Sequence, residues 1–146
     1  MKYFPAEMPR PAITRDSAEF WDACRRHELA IQRCTACAAF RHPPEPCCPR
    51  CRSFAFAWQA VSGRGHIFSF ATVHRAFLPA LEQHVPYTVI VVTLDDAPGV
   101  RIVSNLVDAT PEHARIDLEV EVVWDDVAAD LALPRFRPVA VTQGAK

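Results

Sequence analysis

The spacing of hydrophobic and polar positions changes character twice along the chain. Between Asp16 and His27 the apolar residues Phe20, Trp21 and Cys24 fall on one side at helical spacing. Asp16-Ser17-Ala18-Glu19 has the form of a capped helix start, an acidic N-cap with Glu three residues later. A helix of about three turns, running to roughly His27, is expected to follow. Its aromatic stripe serves either as core or as an exposed docking face. From Val61 onward the pattern is that of strands. Ile67 to Val73 is rich in aromatic and β-branched residues, and Tyr87 to Leu94 is a near-continuous apolar run of the kind a buried strand shows. Asp95-Asp96-Ala97-Pro98-Gly99 reads as a turn with positive φ at Gly99, and Val100 to Val107 as the returning strand of a hairpin. Leu118, Val120 and Val122 alternate with Glu119 and Glu121, which predicts a half-buried strand with one wet face.

Four or five short strands with no strong helix between them predict a mainly β fold, a small closed barrel or a sandwich; the pattern does not separate the two. The proline-rich residues 1–13 read as an extended arm. Residues 76–87, AFLPALEQHVPY, form a long connection carrying Phe77 and Leu78, either a cover for one barrel end or a contact surface. The tail LALPRFRPVA is apolar, broken by proline and cationic. Three segments follow: arm and helix over 1–29, a cysteine-bearing unit over 30–60, and a β domain with its tail over 61–146.

That middle segment carries the clearest chemistry. Cys34-Thr-Ala-Cys37 and Cys48-Pro-Arg-Cys51 form two C-x2-C pairs separated by ten residues. Two residues between thiolates let one tight turn aim both sulfurs at a single point. Two such turns give a tetrahedron of sulfur, which Zn²⁺ accepts because its filled d-shell imposes no other geometry. One structural Zn²⁺ per chain is expected, with no open position for water and so no activated nucleophile. Pro43, Pro44 and Pro46 restrict the intervening loop, and Arg33, Arg50 and Arg52 beside the ligands offset the charge of a four-thiolate site. Cys47 and His42 are alternative ligands, Cys47 lacking the two-residue spacing and His42 lying in mid-loop.

Composition narrows the partners. With 16 Lys+Arg against 17 Asp+Glu, the net charge of −1 gives no basis for nucleic acid or an anionic membrane as partner. No run of 18 apolar residues is present, and the first residues lack a signal-peptide core, so a cytoplasmic protein is expected, one whose six cysteines are thiols or metal ligands. No nucleophile elbow, HExxH, Walker A or GxGxxG motif occurs. Ser62-Gly63-Arg64-Gly65-His66 reads as a tight turn, and Asp125-Asp126 with Asp130 as a solvated acidic loop. The residues offer no self-sufficient catalyst.

An ordered set of features resembles a known family. Phe20-Trp21 precedes Arg33-Cys34-x-x-Cys37. A Pro43-Pro44 turn leads to Cys48-Pro49-x-Cys51. Trp58 comes before Ser62-Gly63-x-Gly65, and Pro86-Tyr87, Leu94 and Gly99-Val-Arg101-Ile follow. Over residues 14–138 this order is similar to the OB-fold, acyl-CoA-associated proteins with a rubredoxin-like zinc ribbon, long called a domain of unknown function. One departure is Ile116-Asp117, where that family has a glycine before its last strand. The resemblance implies a zinc ribbon on a five-stranded OB-fold barrel. It also implies an accessory, non-catalytic subunit of a thiolase-like acyl-CoA enzyme, a thiolase or a steroid side-chain aldolase, with acyl-CoA at or near the interface of a hetero-oligomer. An acyl-CoA hydratase as partner and a single-stranded nucleic-acid binder are the alternatives. Within that picture Arg135 and Arg137 are candidates for the CoA phosphates, and Phe20, Trp21, Phe77, Leu78 and Phe136 for the partner interface.

Overall fold

A computed structural model describes residues 3–140. Helix α1 spans Ala18–Arg25, starting and stopping inside the predicted limits. Its N-cap is Ser17, not Asp16, and the Ser17 hydroxyl does not cap the helix. It turns back to accept from the Thr14 N–H at 2.9 Å, while the Thr14 hydroxyl accepts from the Ser17 N–H at 3.3 Å. At the other end His27 adopts φ 59°, a left-handed residue that stops the helix two positions early.

Strands β1 (Leu29–Cys34), β2 (Phe40–Arg41) and β3 (Phe56–Val61) form an antiparallel sheet in the order β2-β1-β3. Strands β4 (Arg64–Val73), β5 (Tyr87–Leu94), β6 (Arg101–Leu106), β7 (Glu119–Ala128) and β8 (Leu131–Pro138) close a barrel in the order β4-β5-β6-β8-β7. This decides barrel over sandwich. β5 keeps the predicted bounds and alternates half-buried with fully buried residues, so Thr88, Ile90, Val92 and Leu94 point inward. Helix, ribbon sheet and barrel share one core: Phe20, Cys24 and Ile31 pack with Ile67, Ile90 and Phe136.

Two tight approaches lie at the start of the barrel, one at the turn out of the ribbon and one between β4 and β5. Gly63 takes φ +74°, and a Cβ there would drive into the Val122 side chain; a Cβ on Gly65 would meet the Thr93 carbonyl and stand 2.8 Å from Val92 Cγ1. Asp117, where the resemblance implies a glycine, adopts φ 63°, and its N–H donates to the Ile67 carbonyl at 2.9 Å; the strand it leads into is β7 and not the last one, since β8 follows. Aspartate tolerates this region better than most side chains, so the turn survives the substitution.

Two expectations are corrected here. The proline-broken tail is not an appendage: it is β8, antiparallel to β7 along its length and parallel to β6 at Leu106↔Phe136. Asp125 and Asp126 are not on a solvated loop. They lie in β7, with Asp125 only 1% exposed and Asp126 bonded to His27 Nε2 at 2.8 Å.

Candidate metal centre and its surroundings

The two cysteine pairs form matching turns. In the first, the Ala38 N–H donates to the Cys34 carbonyl and the Cys34 N–H to the Ala39 carbonyl, both at 2.9 Å. In the second, Arg52 donates to Cys48 at 2.8 Å and Cys48 to Ser53 at 2.9 Å. Ala38 and Arg52 both adopt a left-handed φ, 61° and 63°, which closes each turn behind its second cysteine. Each turn directs backbone N–H groups at its leading sulfur. The Cys37 N–H, seconded by that of Ala36, lowers the Cys34 pKa. The Cys51 N–H, with that of Arg50, brings Cys48 down to about 6. The Ser53 N–H pulls Cys51 in the same direction, but burial and the sulfurs of Cys34, Cys37 and Cys48 together push it up to about 12. Four sulfurs this close cannot all ionise without a cation among them.

The ligand atoms of Cys34, Cys37, Cys48 and Cys51 all lie within 4.8 Å of one another, with Sγ–Sγ separations of 3.6 Å for Cys34–Cys51 and 3.7 Å for Cys37–Cys48. A tetrahedron with Zn–S bonds of about 2.3 Å has S–S edges of about 3.8 Å, whereas a disulfide needs about 2.05 Å. The donor set and its size fit a four-thiolate metal. Neither alternative ligand belongs to the cluster. Cys47 Sγ points to the carbonyls of Cys48 and Arg52, and the His42 ring packs against Phe20 at 4.9 Å between centroids. Arg33 braces the first turn through its Nε, which donates to the Ala38 carbonyl at 3.2 Å. Buried Gln32 accepts from both Arg41 Nε, at 2.8 Å, and the Glu45 N–H, at 2.9 Å, and so fixes the proline loop between the turns. No sequence signal marks that pair.

The other candidate residues divide sharply. Phe20 and Phe136 are 3% and 0% exposed: they are core, because the stripe of α1 and the inner face of β8 meet in the barrel interior. They are therefore corrected as interface residues. Trp21 is half-buried at the edge of the same cluster. Phe77 and Leu78 are exposed, at 82% and 42%. Arg135 is corrected as a phosphate ligand, since it is buried and committed to Asp125 and Asn105. Arg137 is on the surface, paired with Glu121 at 2.9 Å. On the outer side of β5 and β6 the only cation is Arg101, and its guanidinium lies over the Phe68 ring, 3.6 Å from the centroid.

A rubredoxin-like ribbon carrying four convergent cysteines, packed on a five-stranded barrel, defines a zinc-ribbon/OB-fold protein. The family model for the ChsH2 rubredoxin-like zinc ribbon domain matches residues 21–57, and that for the ChsH2 C-terminal OB-fold domain matches residues 58–125. The chain belongs to this ChsH2 group of the DUF35 family. A solved structure described as the Ltp2-ChsH2(DUF35) aldolase is 40% identical with a TM-score of 0.81, covering 90% of this chain and all of that one. A DUF35 domain-containing scaffold protein of Methanocaldococcus jannaschii is 31% identical over 72% of this chain and 73% of its own length. A probable enoyl-CoA hydratase alpha subunit of Thermomonospora curvata is 42% identical over 89% of this chain. The 3-oxo-4,17-pregnadiene-20-carboxyl-CoA hydratase alpha subunit of Mycobacterium tuberculosis is 37% identical over 84%. The chain spans only 40% and 38% of the length of those two relatives. No helix among the described residues is long and apolar enough to cross a membrane.

Proposed function

We propose that this chain is an accessory subunit, without catalytic residues of its own, that binds and stabilises a thiolase-like acyl-CoA enzyme and holds one structural Zn²⁺ in its ribbon. The observation that carries this reading is the 40% identity across the whole of a chain belonging to the Ltp2-ChsH2(DUF35) aldolase. Two further features support it. A four-thiolate site is saturated by protein ligands and gives structure, not Lewis-acid chemistry. The exposed Phe77 and Leu78 also suit a lasting interface better than open solvent. Where acyl-CoA lies at that interface, Arg137 is the surface arginine that would meet its phosphates, because Glu121 can be exchanged for an anion on the outer wall of the barrel. The two hydratase-named relatives support a second reading, in which the partner is an acyl-CoA hydratase.

The test is purification of the tagged chain from its source cells, identification of what co-elutes, and assay of each component separately and together. A stoichiometric thiolase-like partner whose activity or solubility falls without this chain is expected. A hydratase in that place selects the second reading. Turnover of an acyl-CoA by the chain alone overturns both.

A further inference from the structure

Strand β4 has neighbours on both sides over only part of its length. On one side it follows β5 from Gly65 to Val73. On the other it pairs with β7 from Arg64 to His66, and the last backbone bonds there join Ile67 to Asp117 and Leu118. From Phe68 to Val73 no strand occupies that second edge among the described residues. Alternate residues of an antiparallel strand turn both N–H and C=O away from the paired neighbour. The six-residue stretch, about 20 Å long, therefore leaves the outward N–H and C=O groups of its alternate residues unpaired.

Natural edges of this kind are blunted by charge, proline, a bulge or a covering segment. The segment Phe-Ser-Phe-Ala-Thr-Val contains no charge, proline or glycine; its one register shift, between Ile67 and Ser69, falls at its first residue, Phe68, and leaves Ser69 to Val73 in regular register with β5. Four consecutive residues, Phe68 to Ala71, are exposed, with the Arg101 guanidinium over the Phe68 ring, and Thr72 and Val73 are half-buried. The strand runs directly into His74, Arg75 and the exposed Phe77. No carboxylate occurs between His66 and Phe77; Glu112 is the acid that faces His74, and Arg75 is in no ion pair among the described residues.

We propose that the edge of β4 is where the partner subunit docks, by adding an extended strand to the barrel sheet. The incoming strand is apolar where it lies beside Phe68 and Phe70 and carries a carboxylate where it reaches Arg75. Backbone bonds supply the affinity, and those two side-chain matches supply the register. This inference rests on the reading of the chain as a subunit of a hetero-complex. A second copy is the poorer occupant. It would bring the same carboxylate-free strand to Arg75, and Phe77, beyond the end of the ladder, would stay uncovered.

Hydrogen exchange read by mass spectrometry, on the free chain and on the co-purified complex, tests this directly. Peptides covering residues 68–73 exchange quickly in the free chain and about tenfold or more slowly in the complex. Ala71→Lys and Phe70→Lys, which charge the edge, weaken the complex about tenfold while leaving the melting curve and metal content of the free chain unchanged. A complex that forms with unaltered exchange at 68–73 overturns the docking mode and leaves the accessory role standing. A free chain that is dimeric and becomes monomeric in Ala71→Lys gives the edge to a second copy and overturns the proposal. If no partner co-purifies, the subunit reading itself fails.

Discussion

Asp125 and Arg135 form an ion pair inside the barrel wall, Oδ2 to Nε at 3.2 Å, with side chains 1% and 10% exposed. The guanidinium also donates to Asn105 Oδ1 on β6 at 2.6 Å, so the pair ties together three strands. The N-terminal arm lies over it. The Tyr3 N–H donates to Asp125 Oδ1 at 3.2 Å, and the rings of Tyr3 and Phe4 stand 5.5 and 5.4 Å from the Arg135 guanidinium. The barrel is closed here by charge and backbone together.

Asp125→Ala leaves that guanidinium buried and uncompensated. We expect a loss of about 3–5 kcal/mol in stability. The double variant Asp125→Leu, Arg135→Met removes both charges and should cost much less. Urea unfolding of the three proteins checks this, and equal losses for single and double variants would refute the pairing argument.

Metal analysis should find about one zinc per chain, with four thiolates bound. Cys34→Ser with Cys51→Ser should release the metal and melt the ribbon, because the binding energy of such a site is folding energy. Cys24→Ala and Cys47→Ser should retain it. Full retention in the Cys34, Cys51 double variant would exclude the site.

Cys24 is held protonated by burial, its pKa raised to about 12 from an ordinary 9.0. The folded chain therefore keeps this proton to higher pH than the unfolded chain does. The stability it contributes is fully present below pH 9 and is lost as pH rises through about 12. Cys24→Ala should flatten that alkaline decline in melting temperature. Native Cys24 should also resist iodoacetamide at pH 8 and react only on unfolding.

Gly65→Ala and Gly63→Ala should each destabilise by about 1–3 kcal/mol through overpacking, Gly65 against β5 and Gly63 against Val122. Gly63 carries the added strain of its positive φ. Gly99→Ala meets no neighbouring atom and loses only the conformational freedom at φ +82°. Thermal melts should rank Gly99→Ala as the mildest of the three.

Single-stranded DNA or RNA should not bind in a salt-sensitive way at micromolar protein. On the outer side of β5 and β6 Arg101 is the one cation among the described residues and lies over Phe68, so that face offers no run of cations to a phosphate backbone. A filter-binding or anisotropy titration across salt checks this. A complex whose affinity falls steeply with salt would move the chain to the nucleic-acid class.

What the sequence determined by itself is whatever depends on near neighbours. The C-x2-C turns are local, so their spacing alone located all four sulfurs, and the near-continuous β-type run from Tyr87 to Leu94 fixed both ends of β5, though not which of its residues face inward. The ordered set of motifs carried the family as well. Tertiary structure decided the rest, because it turns on residues far apart in the chain. Pro134 and Pro138 make the tail look unfit for a strand, yet β8 tolerates them. The ladder between β6 and β8 is limited to Leu106↔Phe136, and Pro134 meets β6 through its carbonyl, which accepts from the Ser104 hydroxyl at 2.6 Å, so its missing N–H breaks no ladder bond there. Asp125 looks solvated until Arg135, ten residues on and across a strand pair, gives it a reason to be buried. Phe20 and Phe136 look like docking aromatics until α1 and β8 close on the same core. Period and spacing show which residues can pair, but only the closed barrel shows which partner is there to receive them.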